Sequence, residues 1–351
     1  MRQIAIMEWG GRVGEIETPT PTPAGEEVLV RVEVCGVCHS DVHIWDGYFD
    51  LGDGKKWEMS ARVSLPFSPG HEIVGTVEAL GPNASGVEIG RSYVVYPWIG
   101  CGTCARCTAG EELLCDNPRS LGVRRAGGYA DHVIVPNARY LVPYDGLPRE
   151  LACTYACSGI TAYSALKKVP PLKPQDWLAI VGVGGVGLSA VQLARTVVGA
   201  HVIAADIDPA KRAHALKAGA EKAVDNRGSD AVKEMQHATG GGPAAAIDFV
   251  GSPETVKYAI DIVRRGGHVV IVGLFGGAIS LSTMTFPSKL VTVTGSYVGT
   301  LDDLKNVIAL AQAGKLAPIP VTRVPAHKAG DALRDLKDGG KVIGRVVLVH
   351  G

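Results

Sequence analysis

Aromatic residues are scarce, at 6 % of the chain, and charge of either sign is not in excess: 35 Lys and Arg stand against 35 Asp and Glu. A chain with no net charge and no basic run lacks the electrostatic footprint of a nucleic-acid or membrane-surface protein. Residues 1–8 lack the charged-then-apolar layout of a secretory signal, which predicts a cytoplasmic protein. No internal repeat and no low-complexity segment is present. The long uncharged run from Trp177 to Ala194 reaches the length of a membrane span. It holds glycines at 182, 184, 185 and 187 and follows Pro170, Pro171 and Pro174, so it reads as a buried strand, a turn and a buried helix.

Glycine, in contrast, is abundant, with 45 residues in 351, which suits tight turns and close approach of backbone to a ligand. At roughly 100–200 residues per domain, the length predicts about two domains. A hydrophobic content of 46 % with 20 % charged residues is globular rather than disordered.

Four of the eight cysteines crowd into Cys101-x2-Cys104-x2-Cys107-x7-Cys115. In an intracellular chain such spacing reads as metal ligation before disulfides. Four thiolates in short loops fold round one tetrahedral zinc and leave no open position, so that site is structural. An iron–sulfur cluster uses similar spacing, but its run ends in Cys-Pro, whereas Asp116 follows Cys115. Cys35-Gly-Val-Cys38-His39 has three readings: a redox pair, a haem attachment site, or a metal ligand at Cys38 with Cys35 packed in the core. Haem attachment belongs to exported proteins, and no thioredoxin-like pattern surrounds the pair. His71 lies between a turn and an alternating strand. Together with Cys38 and Cys157 it can complete a Cys2His site with one open position, the arrangement of catalytic zinc. The acidic neighbours Asp41 and Glu72 are placed to orient those ligands.

The run Gly182-Val183-Gly184-Gly185-Val186-Gly187 follows the apolar strand 178–181 and opens a helical pattern through residue 198. A second strand, 201–205, ends at Asp206. This is the dinucleotide fingerprint in its strand–turn–helix setting, with the helix N-terminus offered to a pyrophosphate. The Asp206 carboxylate can accept from both ribose hydroxyls of NAD and repel the 2′-phosphate of NADP. Further strands are predicted at 222–225, 244–251, 268–274 and 290–296, with helices at 209–218, 230–238 and 253–263. That alternation makes a doubly wound parallel sheet. Before residue 150 the pattern is mainly β; an amphipathic helix is predicted at 301–313, and a last strand at 341–349 returning to the first domain.

Taken in order along nearly the whole chain, Cys-His-Ser-Asp-Val-His (38–43), Gly-His-Glu (70–72), the cysteine lobe, Cys-Ser-Gly-Ile-Thr (157–161) and the glycine run carry a resemblance. The chain resembles the zinc-dependent medium-chain alcohol dehydrogenases. The resemblance implies a Rossmann NAD-binding domain at 154–296 and a GroES-like catalytic domain at 1–153 and 297–351, with a structural-zinc lobe at 97–116. It implies that Cys38, His71 and Cys157 hold the catalytic zinc, and that Ser40 and His43 relay the alcohol proton. It assigns His39, Thr161, Lys211, Val272 and Arg345 to the cofactor, and Trp45 and Trp98 to the substrate pocket, with core packing the competing reading for both tryptophans. Two zinc ions per chain, NAD, a small alcohol, aldehyde or ketone, and a homotetramer follow from the same resemblance. The segment 46–63 is longer than in compact ethanol-type members, which predicts a pocket for bulkier alcohols. Two readings of other classes compete: a zinc-binding scaffold without activity, and a thiol redox protein acting through Cys35 and Cys38.

Overall fold

The protein is described here by a computed structural model covering residues 1–339 and 342–351. Six parallel strands form one sheet, in the order Lys222–Val224, His201–Ala205, Trp177–Val181, Ala245–Asp248, His268–Ile271, Thr292–Gly295. Leu178, Ala179, Ile180 and Val181 are all fully buried, the unbroken apolar run of a strand covered by helices on both faces. Order reverses beside Trp177–Val181, where Val181 pairs with Ala205 on one side and Asp248 on the other. The crevice beyond the strand ends at such a reversal is where doubly wound sheets bind ligands.

The helices Gly185–Val197, Pro209–Ala218, Ala231–Ala238 and Pro253–Ile262 fill the connections, as the sequence predicts. Pro209 and Pro253 stand at helix starts, capped by Asp208 and Ser252. Several strands are shorter than expected. The one predicted at 244–251 is Ala245–Asp248, because the Asp248 carboxylate accepts from the N–H groups of Val250 and Gly251 and turns the chain.

A second, seven-stranded sheet is built around Val28–Val37, with Val28, Val30, Val32 and Val34 buried and Arg31 exposed. Its neighbours Glu72–Leu80 and Arg345–Val349 pair antiparallel with it from the two sides. The tail therefore does return to the N-terminal half, pairing with Val28–Val37. The strand begins at Arg345, not at 341: Gly344 has φ +83°, which breaks the extended run, and Lys341 lies outside the described residues. Register places Val346 opposite Val37, so Arg345 arrives beside Cys38. Among the described residues no helix is long and apolar enough to cross a membrane.

Candidate metal centres and cofactor cleft

Cys38 ends the central strand and caps the helix His39–Asp46, where Asp41 reaches back to the Cys38 N–H at 2.9 Å. The fully buried Asp41 also accepts from the Tyr129 hydroxyl at 3.2 Å and the Gly70 N–H at 3.3 Å. Its Oδ1 stands 3.2 Å from Nδ1 of His71. That contact orients the imidazole and leaves Nε2 buried without a hydrogen-bond partner. Burial alone would lower the His71 pKa; Asp41 outweighs it and holds the pKa well up. Cys157 sits in a π turn, Tyr155–Gly159, set between the helices Arg149–Thr154 and Ile160–Lys167, an irregularity frequent at functional sites. The ligating atoms of Cys38, His71 and Cys157 lie within 4.8 Å of one another. The Cys38 thiol is pulled far down, first by a hydrogen bond from Cys157 and then by His71. A thiolate, a second thiol and an orphaned imidazole nitrogen fit a zinc ion, and three ligands leave one position open.

Glu72 lies behind this centre, fully buried, accepting from the Ser158 N–H at 3.2 Å. Arg345 Nη2 is 2.5 Å from its Oε1. Burial raises the Glu72 pKa to about 7, against the pull of Arg345.

The other four cysteines converge in the half-exposed lobe. Cys101 and Cys107 sulfurs are 3.9 Å apart, and those of Cys104 and Cys115 3.8 Å. Sulfurs held at ~2.3 Å from one tetrahedral zinc stand ~3.8 Å apart, so the cage fits the ion. Backbone N–H groups of Thr103 and Cys104 point at the Cys101 sulfur, and its pKa falls to about 5, owing first to the Thr103 N–H. All eight cysteines are free. Cys35 is buried and burial pushes its thiol well up, which makes it inert and removes support from a Cys35–Cys38 redox pair.

The glycine run turns as the fingerprint requires: a Cβ on Gly187 would lie 2.0 Å from the Gly182 carbonyl oxygen. Asp206 Oδ2 accepts from the Val183 N–H and Oδ1 from the Asp208 N–H, both at 2.9 Å. The acid thus also holds the loop, a role sequence reasoning missed, and keeps lone pairs free for ribose hydroxyls. Val272 follows the strand His268–Ile271 at the crevice. The Arg345 stem packs against Gly185, and its buried Nε has no hydrogen-bond partner. The Thr161 hydroxyl is likewise buried and unpartnered. Burial lowers the His39 pKa, and Arg345 and Lys211 push the same way against Cys38.

Ser40 Oγ is 3.9 Å from the Cys38 sulfur. On the same helix the His39 and His43 rings are 6.0 Å apart, an i,i+4 pair on one face. Trp45, two residues beyond His43, points elsewhere. Its buried indole donates to the Gly11 carbonyl at 2.9 Å under Lys337, which corrects the pocket assignment in favour of core packing. Phe49 takes the place beside His43, with ring centres 4.9 Å apart. Trp98 meets the expectation better, its ring 5.2 Å from that of His71 and its N–H bound to the Ala156 carbonyl. Tyr297, unremarked in the sequence, packs edge-on against Trp98 at 5.7 Å. The segment 46–63 forms a hairpin, Tyr48–Gly52 with Lys55–Glu58. Its turn packs against 277–278 so closely that a Cβ on Gly52 would lie 2.4 Å from the Ala278 nitrogen.

Fold and site together define a zinc-site oxidoreductase with a Rossmann cofactor cleft. The chain belongs to the zinc-dependent medium-chain alcohol dehydrogenases. Residues 24–146 match the alcohol dehydrogenase GroES-like domain and residues 185–313 the zinc-binding dehydrogenase domain. An NAD-dependent alcohol dehydrogenase of Sulfurisphaera tokodaii is 36 % identical, with 99 % of this chain and 100 % of that protein aligned. An alcohol dehydrogenase of Geobacillus stearothermophilus is 36 % identical over 96 % of this chain and 95 % of its own. The crystal structure of the alcohol dehydrogenase from Aeropyrum pernix superposes with a TM-score of 0.89 at 34 % identity, covering 99 % of this chain and 100 % of that one.

Proposed function

We propose that the centre at Cys38, His71 and Cys157 carries out reversible hydride transfer between a primary or secondary alcohol and NAD, giving an aldehyde or ketone. The observation that carries this reading is the convergence of three ligating atoms within 4.8 Å, backed by the buried acids Asp41 and Glu72. Cys38, His71 and Cys157 would hold a zinc ion, which would supply Lewis acidity toward an alcohol oxygen, and NAD would supply the hydride acceptor. Ser40 takes the hydroxyl proton and His43, on the same helix, releases it to solvent. Burial, and then His39, hold His43 below its usual 6.5, so it stays neutral and able to accept at pH 7. Arg345 and the N-terminal N–H groups of Gly185–Val197 would hold the pyrophosphate of NAD, Asp206 and Lys211 its adenosine ribose, and Thr161 and Val272 its nicotinamide. Trp98 and the hairpin 48–58 wall the substrate side and fit alcohols bulkier than ethanol.

We divide the chain into a catalytic part, 1–153 and 297–351 with its lobe at 97–116, and a cofactor part, 154–296. A cytoplasmic homotetramer is the setting we infer from the family, and seven metal-ligating residues of which six are thiols suit a reducing compartment. Absorbance at 340 nm with NAD and a panel of alcohols, before and after chelation, tests the activity. NADH formation that chelation abolishes is expected; no reduction with any alcohol, or reduction indifferent to metal removal, contradicts it.

A further inference from the structure

Two runs of side chains lead outward, one from the metal centre and one from the relay. On one side His71 abuts Trp98 at 5.2 Å and Trp98 meets Tyr297 at 5.7 Å. On the other, His43 abuts Phe49 at 4.9 Å and Phe49 meets Trp57 at 5.5 Å. Arg124 continues the second run, its guanidinium carbon 5.3 Å from the Trp57 ring centre. Arg62 stands 5.6 Å from the same indole.

Two guanidinium groups on one indole repel each other. The Arg124 pKa is lowered, first by burial and then by Arg62, with no carboxylate among the charges acting on it. Among the described residues, neither Arg62 nor Arg124 has an acidic partner. The other arginines that are not exposed are paired: Arg91 with Asp145, Arg212 with Asp225, Arg345 with Glu72. A half-buried cation without a counter-charge, at the mouth of a site, costs free energy that an incoming anion removes.

We propose that Arg124, supported by Arg62, selects alcohols and aldehydes that carry an anionic group at the far end of a chain of several carbons. The inference rests on the proposed function, which puts the reacting carbon at Cys38, His71 and Cys157. The rings of Phe49 and Trp57 lie between His43 and Arg124, so the spacer has to cross them. Trp57 and Phe49 give its methylene groups an apolar wall. The planar guanidinium fork matches the paired oxygens of a carboxylate or a phosphate.

The test compares kcat/KM for 6-hydroxyhexanoate, 6-hydroxyhexyl phosphate and 1-hexanol at low ionic strength. At least one anionic substrate is expected to exceed 1-hexanol about tenfold or more, and whichever leads identifies the anion. The advantage should shrink as salt rises. Arg124→Met should lower the anionic-to-neutral ratio about tenfold and Arg124→Lys should restore part of it, while NADH fluorescence titration verifies that each variant is folded. Turnover of 1-hexanol with no preference for either anion, or a preference that Arg124→Met leaves intact, overturns the selection alone. No turnover of any of the three overturns the proposed activity and the selection with it.

Discussion

Arg345 on the last strand and Glu72 at the start of the strand Glu72–Leu80 form a buried ion pair, with Nη2 2.5 Å from Oε1. One guanidinium thereby touches the glycine loop through its stem and the metal centre through its charge. The antiparallel register of Val346 with Val37 makes this possible, because it sets the residue before Val346 level with Cys38.

Removing one member of such a pair leaves the other charge buried alone. Arg345→Met is expected to cost roughly 3–5 kcal/mol of stability and to weaken NAD binding. Glu72→Gln added to Arg345→Met should recover part of the stability but not the binding. Urea denaturation and NADH fluorescence titration separate the two effects. A single variant as stable as the wild type contradicts the pairing.

In the proposed function Asp206 would add ribose recognition to the loop support it gives the Val183 N–H. Asp206→Gly removes the acceptor for the Val183 N–H and the repulsion of a 2′-phosphate together. Its kcat/KM with NAD should fall roughly 10–100-fold, and the NADP-to-NAD ratio should rise. An unaltered ratio in steady-state assays with both cofactors would mean that the carboxylate does not face the ribose.

For the relay, the sign follows from the direction of the shift. His43 accepts a proton only when neutral, and burial sets its pKa below 6.5. Alcohol oxidation should hold up through pH 7 and decline only on acidification through that lowered value. His43→Gln should lower kcat about tenfold or more and remove this acid limb. Should the limb persist in a kcat–pH profile of the variant, another group releases the proton.

The hairpin packs Phe49 on His43 and its turn on 277–278. Replacing residues 51–56 by a short turn opens that wall. The preference for a long or aromatic alcohol over ethanol should change by roughly tenfold, with zinc content preserved. A preference left as it was would show that the hairpin does not shape the pocket.

The features legible in the sequence are those whose chemistry is local. The cysteine lobe spans residues 101–115, and the glycine run lies between a strand and a helix that are themselves apolar and periodic. Cys38, Ser40 and His43 share one short helix and its cap, so their spacing already fixes their faces. The mouth of the site was not legible. Arg124 and Trp57, like Tyr297 and Trp98, come from distant segments and meet only in the folded chain. Helical spacing could have warned against Trp45, which is two residues from His43 and so off its face. The inward turn of Arg345 depends on strand register, which a lone apolar tail does not specify. Strand ends were overextended because apolar residues continue into turns that Asp248 and Gly344 impose.

Anomalous diffraction at the zinc edge, on protein crystallised as purified, tests the central claim most directly. Two peaks per chain are predicted: one enclosed by Cys101, Cys104, Cys107 and Cys115, and one bounded by Cys38, His71 and Cys157 with its remaining side open to the cofactor cleft. A second position without a peak, or a Cys38–Cys157 disulfide in its place, would contradict the account.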